Sequence, residues 1–229
     1  MTARNFLGQR LSVDNRKDTP SAYKPELPDN LRLYERSRYN NAVSKMRVTG
    51  GTARGQQLKM PPSRLVRPTT DKVREAIFSI LASLSSGWSN ALDLYAGSGA
   101  LGIEALSRDA DWVDFVDQEP RCCATIKQNL EKVGFKQKAH VYCCKVAKAI
   151  TFLKDKYDII FMDPPYADTS TGSTVTQLAN SELLNDNTLV VVSHASRSLL
   201  QPGYDGLSLV KEKRYGDTGI SIYQKETKS

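Results

Sequence analysis

The stretch ALDLYAGSGALGIEALSR, residues 91–108, decides the fold class of this 229-residue chain. It opens with a short apolar run, bends through Gly97 and Gly99, and continues with apolar residues at helical spacing. A strand that turns through glycines into a helix is the opening unit of a doubly wound α/β sheet. Glycines also let the backbone approach a ligand closely, so the bend is a candidate binding site.

The sequence after this unit alternates between strand and helix patterns, which favours a mostly parallel sheet. We therefore predict an α/β fold, with a doubly wound, mostly parallel, seven-stranded sheet and a small basic N-terminal extension. The predicted strands are 91–95, 112–117, 139–144, 157–162, 188–193, 207–213 and 220–224. The predicted helices are 71–86, 100–107, 120–133, a short stretch up to 153, and 177–184.

Composition excludes several classes of protein. Hydrophobic residues make up 40% and charged residues 25%, as in globular proteins. No run of 18 apolar residues could span a membrane, and no apolar core of a secretory signal is present at the start. We expect a polar arm over 1–45, a basic RNA-binding segment with the first helix over 46–86, and the main domain over 87–229.

Positive charge is concentrated at the start of the chain. The net charge of +7 divides into +4 for residues 1–46, +5 for residues 47–75 and −2 for the remainder. A local surplus of this kind predicts a polyanionic partner, most often nucleic acid, although a solvated basic arm is the alternative. The arm itself could be an RNA-binding extension, a targeting segment or a lineage-specific tail.

The four cysteines form two adjacent pairs, Cys122-Cys123 and Cys143-Cys144. Neighbouring residues point in different directions, whereas zinc ligands are usually two to four residues apart. We therefore expect buried free thiols and no metal.

Two loops at predicted strand ends indicate a nucleoside-containing cofactor. Gly97, Gly99 and Gly102 match G-x-G-x-x-G, and Asp117 follows Gly97 by 20 residues, where its carboxylate can accept ribose hydroxyls. These residues leave NAD and S-adenosylmethionine both open. Asp93 favours the second, because it can hold the loop or reach a ligand ammonium, whereas a pyrophosphate would be repelled by it.

A third loop, Asp163-Pro164-Pro165-Tyr166, follows the strand at 157–162. Its prolines fix the backbone so that carbonyls project rigidly. A carboxylate and these carbonyls can accept both protons of a planar exocyclic amine, and an aromatic ring can stack on the base. The loop therefore predicts transfer of a methyl group from a sulfonium donor to a nucleobase nitrogen.

These motifs together resemble the RsmD-type 16S ribosomal RNA guanine-N2 methyltransferases. The resemblance covers about 180 residues from Met46 onward and implies a Rossmann-like methyltransferase fold, S-adenosylmethionine as cofactor and, as partner, ribosomal RNA of the small subunit or of its assembly intermediate. The matching stretches are RVTGGTARGQQL (47–58), RPTTDKVREAIFSIL (67–81), ALDLYAGSGALGIEALSR (91–108), FVDQEP (115–120), NLEKVGF (129–135), YDIIFMDPPY (157–166) and KRYGDTGISIY (213–223).

The resemblance also implies roles for individual residues. The catalytic group would be Asp163, Pro164, Pro165 and Tyr166, which orient the guanine amine. The cofactor-binding group would be Thr69, Thr70, Asp93, Tyr95, Ala96, Gly97, Ser98, Gly99, Asp117, Gln118 and Lys145. The groups contacting RNA phosphates would be Arg47, Arg54, Arg64, Arg67 and Arg74.

One position departs from the family pattern. Lys145 stands where the family usually has an aspartate that meets the adenine amine, and a charged lysine has no acceptor. Lys145 therefore motivates a non-catalytic RNA-binding assembly factor as a rival function. The nearest enzymatic rival is an adenine-N6 methyltransferase on DNA or RNA, because adenine also has an exocyclic amine, and a dehydrogenase is less favoured. We expect a cytoplasmic monomer without membrane contact, or an organellar protein if the arm is a targeting segment.

Overall fold

The structure is a computed structural model that describes residues 46–62, 69–166, 168–198 and 200–226. The predicted arm over 1–45 and the predicted RNA contacts Arg64 and Arg67 lie outside these ranges. The strands are β1 (Asn90–Leu94), β2 (Trp112–Asp117), β3 (Ala139–Cys143), β4 (Tyr157–Met162), β5 (Leu184–Ala195), β6 (Gly203–Tyr204), β7 (Leu207–Tyr215) and β8 (Thr218–Lys225). The helices are α1 (Asp71–Leu84), α2 (Ala100–Ser107), α3 (Pro120–Val133), α4 (Val146–Phe152) and α5 (Thr171–Ala179).

The described strands form one sheet in the order β3-β2-β1-β4-β5-β8-β7-β6. Strands β1 to β5 are parallel, and β8 and β7 close the sheet as an antiparallel hairpin. The chain winds outward from β1 in one direction and then restarts at β4, so the switch point lies between these two strands, where ligands bind in such sheets. The predicted α/β class is confirmed, and the eighth strand is the two-residue β6, too short for a sequence pattern to reveal.

Two predicted helix boundaries are wrong. The helix expected over 177–184 is α5 at Thr171–Ala179, and Leu184 begins β5. Its start is rich in serine, threonine and glycine, which propensity assigns to a loop, but Val175 and Leu178 are fully buried and packing stabilises the helix. Helix α1 ends at Leu84 rather than near Gly87, with Ser85 as its C-cap.

Apolar side chains cover both faces of the sheet. Along β4, Ile159 and Phe161 join the cluster beneath α1, α2 and α3, while Ile160 and Met162 join the cluster beneath α4 and α5. A strand that is apolar at every position except Asp158 is thus covered on both sides. No helix in the described ranges is long and apolar enough to cross a bilayer.

The basic segment at 46–62 packs onto this domain. Its two arms meet at an antiparallel bridge between Arg47 and Gln57, and Val48 and Leu58 are buried in the same cluster as α2. Gly51 adopts a left-handed φ of 73° where its backbone meets Ser107. The segment therefore shares one core with the sheet.

The cysteines are free, but they are not all buried as predicted. Cys122 and Cys123 are buried on α3, whereas Cys143 is exposed and Cys144 is half-buried. The difference arises because β3 is the outermost strand, so its end faces solvent.

Candidate active site

The glycine bend, residues 96–99 after β1, lies next to the loop of residues 163–166 after β4, which we call the Asp163 corner. Leu94 and Met162 are paired residues of β1 and β4, and the Asp163 amide points to the Leu94 carbonyl at 3.5 Å. Both loops therefore leave the sheet side by side at its switch point. The predicted closeness of the two loops is found in the structure.

The Asp117 carboxylate shapes the glycine bend. One oxygen accepts a hydrogen bond from the Gly97 amide at 2.8 Å, and the other accepts one from the Glu119 amide at 2.8 Å. Gly97 and Gly99 have φ values of 57° and 78°, which glycine adopts without strain. A carboxylate has about four lone-pair sites, so capacity remains for two ribose hydroxyls.

Asp93 is buried at the end of β1 and is 1% exposed. It accepts a hydrogen bond from the Gly102 amide at 2.9 Å, which ties α2 to the strand. Burial first, and the nearby carboxylates of Asp163 and Asp117 in addition, raise the pKa of Asp93 well above its usual range. A cationic amine bound here would offset these effects, so the site fits the ammonium of an amino acid.

The other residues of the bend differ in what they offer a ligand. Tyr95 has a left-handed φ of 60° and its hydroxyl lies 3.4 Å from the Thr174 hydroxyl of α5. The Ala96 amide donates to the Val116 carbonyl. The Ser98 hydroxyl contacts the Met46 sulfur at 3.3 Å, so this side chain is engaged with the protein.

The Asp163 corner is held from two sides. The Thr69 hydroxyl donates to the Asp163 carboxylate, and the Tyr166 hydroxyl donates to the Thr218 hydroxyl at 2.6 Å. Pro164 is buried and Pro165 is exposed. Thr70 begins α1 by accepting from the Val73 amide, while the neighbouring Thr69 contacts Asp163. The Asp163 loop is therefore anchored at each end.

The side that would face an adenine is more open. Gln118 and Lys145 are both exposed, and Lys145 is the N-cap residue of α4 without a side-chain capping bond. The Cys144 amide already donates to the Asp117 carbonyl at 3.0 Å. The ammonium of Lys145 cannot accept from an adenine amine, so this position does not fit the usual adenine contact.

The predicted RNA-contacting arginines have different surroundings. Arg47 is 62% exposed beside Asp71, and Arg54 is exposed. The prediction for Arg74 is wrong, because its side chain is 0% exposed. Its guanidinium donates to the Thr69 and Arg47 carbonyls and to Asp71, so it joins the basic segment to α1.

Three positioning residues were missed by sequence reasoning. Glu104 is 0% exposed and accepts from the Thr49 amide and hydroxyl at 2.8 and 2.7 Å. Asn129 is 0% exposed and donates to the carbonyls of Lys59 and Ser98, both at 2.9 Å. Both could have been found from the sequence, because each is a polar residue within an otherwise apolar face of its helix. The third missed residue is Thr218, the partner of Tyr166, and no sequence pattern marks it.

The part of the chain that matches known proteins is nearly the same part that the structure describes. Residues 46–224 match the family described as Conserved hypothetical protein 95. Ribosomal RNA small subunit methyltransferase D of Escherichia coli K12 is 33% identical over 190 residues, covering 82% of this chain and 93% of that protein. The corresponding Haemophilus influenzae protein is 31% identical and covers 80% and 96%.

A solved structure agrees with these relatives. The Escherichia coli protein named "Putative methyltransferase yhhF" superimposes with a TM-score of 0.69 and 31% identity, covering 80% of this chain and 99% of that one. The span matched by the family, residues 46–224, contains the basic segment, the glycine bend and the Asp163 corner. The chain therefore belongs to the Conserved hypothetical protein 95 family, the RsmD family of methyltransferases.

Proposed function

We propose that this protein is a ribosomal RNA methyltransferase that uses S-adenosylmethionine to methylate the exocyclic N2 of a guanine in small-subunit (16S) RNA. The names of its relatives, ribosomal RNA small subunit methyltransferase D, support the ribosomal RNA substrate. The observation that carries the chemistry is the adjacency of Asp163 to the glycine bend, since methyl donor and acceptor must meet in line.

The catalytic corner has the groups that an exocyclic amine needs. The Asp163 carboxylate and the adjacent proline carbonyl accept the two amine protons, which favours a pyramidal and more reactive nitrogen. Tyr166 stacks on the base, and its hydroxyl bond to Thr218 fixes the ring. The target base leaves its stack to reach this corner, at a few kcal/mol. Orientation then supplies much of the rate, and the methylated nitrogen releases a proton.

The glycine bend has the groups that the cofactor needs. Asp93 would hold its ammonium and Asp117 its ribose hydroxyls, while the Gly97–Gly99 backbone would lie against its amino acid part. The bound cofactor supplies the electrophilic methyl group. Lys145 does not fit the adenine amine, so adenine would be held by backbone groups.

Arginines of the basic segment would contact RNA phosphates. Arg47 and Arg54 are exposed and suitable, and Arg64 and Arg67 belong to the same proposal from the sequence. Arg74 is excluded because it is buried.

Substitution of Asp163 tests the chemistry. Asp163→Ala should abolish methyl transfer to ribosomal RNA, because the amine loses its acceptor, while calorimetry still detects S-adenosylmethionine. Asp186→Ala is a matched control, since Asp186 is exposed in the amino-terminal half of β5. Full turnover by Asp163→Ala would remove Asp163 from the mechanism.

The same protein and RNA samples also distinguish two alternative functions, adenine-N6 methylation and a non-catalytic role in ribosome assembly. Nucleoside analysis of the methylated RNA distinguishes N2-methylguanosine from N6-methyladenosine. Lys145 favours the non-catalytic assembly factor as a second candidate. Absence of detectable S-adenosylmethionine binding would support that candidate and contradict the proposed enzyme.

A further inference from the structure

A group of basic side chains lies on the carboxy-terminal hairpin, β7 and β8. The part of the chain that contains this hairpin, residues 76–229, has a net charge close to zero. Lys211, Lys213 and Arg214 are exposed on β7, and Arg197 is exposed in the turn after β5. We call these four residues the hairpin cation cluster. They are far in sequence from the basic segment and belong to the part of the chain whose net charge is −2.

The topology brings this cluster to the active-site end of the sheet. Strand β7 runs antiparallel to β8, which runs antiparallel to β5, so β7 ends at the same edge as the parallel strands. The Ser196 amide donates to the Asp217 carbonyl at 2.9 Å, which places the Arg197 turn beside the hairpin turn. The cluster therefore borders the rim of the candidate active site.

A series of contacts joins the cluster to the catalytic corner. Tyr215 at the end of β7 pairs with Thr218, whose hydroxyl accepts from Tyr166. On the other side of the corner, Asp163 accepts from Thr69, two residues from Asp71. Asp71 pairs with the exposed Arg47 at 3.3 Å. The corner thus lies between Arg47 and the end of β7.

Two cations of the cluster share a face of the sheet with the basic segment. Lys211 and Lys213 lie opposite Ile222 and Ile220, and opposed residues point to the same face. Both isoleucines belong to the apolar cluster that also buries Val48 of the basic segment. Lys211 and Lys213 therefore flank the corner on the face that carries the basic segment, whereas Arg214 alternates with Lys213 and points to the opposite face.

The lysines are available to an external anion. In the described part of the chain, no ion pair joins Lys211 or Lys213 to a carboxylate. Glu212 lies between them in sequence and points to the opposite face. Strand β6 covers only Leu207 and Ser208 of β7. Within the described ranges, the rest of that edge is without a strand partner.

We infer that Lys211 and Lys213 of the hairpin cation cluster form a second RNA-binding surface, which contacts backbone phosphates on the side of the target nucleotide opposite the basic segment. Phosphate contacts on both sides would hold the strand across the corner while the target base is turned into it. This inference rests on the proposed function, because it deepens how the same site takes its RNA. Charge complementarity favours RNA over a protein strand at this edge.

The salt dependence of RNA affinity tests this surface. The full chain and the Lys211→Ala/Lys213→Ala variant are titrated against deproteinised 16S ribosomal RNA over a range of salt concentrations. Loss of two phosphate contacts should reduce the slope of log affinity against log salt by about 1.4 to 1.8. Lys154→Ala/Lys156→Ala is the matched control, because these exposed lysines have the same spacing and charge but lie just before β4, at the opposite end of the sheet.

The outcomes separate the two proposals. A smaller slope for the β7 variant alone, with unchanged calorimetric binding of S-adenosylmethionine, supports the second surface. Equal slopes for the β7 variant and the parent chain, with RNA binding and methylation intact, overturn the surface and leave the proposed function standing. A parent chain that neither binds nor methylates ribosomal RNA contradicts the proposed function itself.

Discussion

Thr69 donates its hydroxyl to the carboxylate of Asp163, although the two residues are 94 positions apart in the chain. The contact joins the start of α1 to the loop after β4. The family resemblance implies that Thr69 lies over the cofactor and near the substrate, and the structure gives its side chain a partner in the Asp163 corner. It therefore acts on Asp163 as a positioning residue.

Replacement of Thr69 distinguishes positioning from cofactor binding. Thr69→Val removes the hydroxyl with little change of shape, and we expect kcat to fall about tenfold or more, since a hydrogen bond to a charged group contributes roughly 1.5 to 3 kcal/mol. Thr69→Ser should retain most activity. A weaker affinity for S-adenosylmethionine with unchanged kcat would show that Thr69 contacts the cofactor directly.

Asp93 should make stability depend on pH. Its pKa is raised in the folded state by burial, so the folded protein disfavours the ionised form. The destabilisation is absent below the unfolded pKa of about 3.9 and grows as pH rises toward the folded pKa. Asp93→Asn retains an acceptor for the Gly102 amide and should be more stable than the parent chain near neutral pH.

Urea unfolding of both proteins from pH 4 to pH 8 measures this difference. The same variant should bind S-adenosylmethionine about tenfold or more weakly, because the ammonium loses a charged partner. Equal free energies of unfolding for the two proteins at all pH values would show that ionisation of Asp93 does not destabilise the folded protein. Full cofactor affinity would place the ammonium elsewhere.

Gly51 should resist substitution more than Gly55, although both have left-handed backbones with φ of 73° and 85°. An alanine Cβ at Gly51 would lie 1.6 Å from the Ser107 carbonyl oxygen, whereas no atom lies within 4 Å at Gly55. Gly55→Ala should lower the free energy of unfolding by about 1 to 2 kcal/mol, the cost of the left-handed conformation. Gly51→Ala should lower it by about 1 to 3 kcal/mol more, from overpacking. Equal melting temperatures for the two variants would contradict the close packing of the basic segment on α2.

The cysteines should differ in reactivity despite their adjacent positions. Cys143 is exposed, whereas burial first raises the pKa of the Cys122 and Cys123 thiols to about 12. Less thiolate is then present at pH 8, so iodoacetamide should modify Cys143 first and Cys122 and Cys123 slowly. Peptide mass spectrometry over time gives the order. Unfolding in urea should remove the difference, and simultaneous modification of all four in the folded protein would contradict the burial.

Local patterns were sufficient for the central elements. The bounds of β2, α3 and β4 agree with prediction because each has a clear apolar period and a clear stop, such as Gly134 after α3. Asp117, which ends β2, and Asp163, which directly follows β4, could be assigned to a site because parallel strands end at one edge. Helix α5 was misplaced because its polar sequence becomes helical only through packing.

The sequence by itself determined the fold class and the types of residue at the strand ends, since both follow from periodicity and spacing along the chain. Only the tertiary structure decided which side chains meet. It buried Arg74 beneath the basic segment, turned Thr69 toward Asp163, and brought the end of β7 to the same edge of the sheet as the Asp163 corner. Burial and contact between distant segments depend on how the elements pack, and no local pattern carries that information.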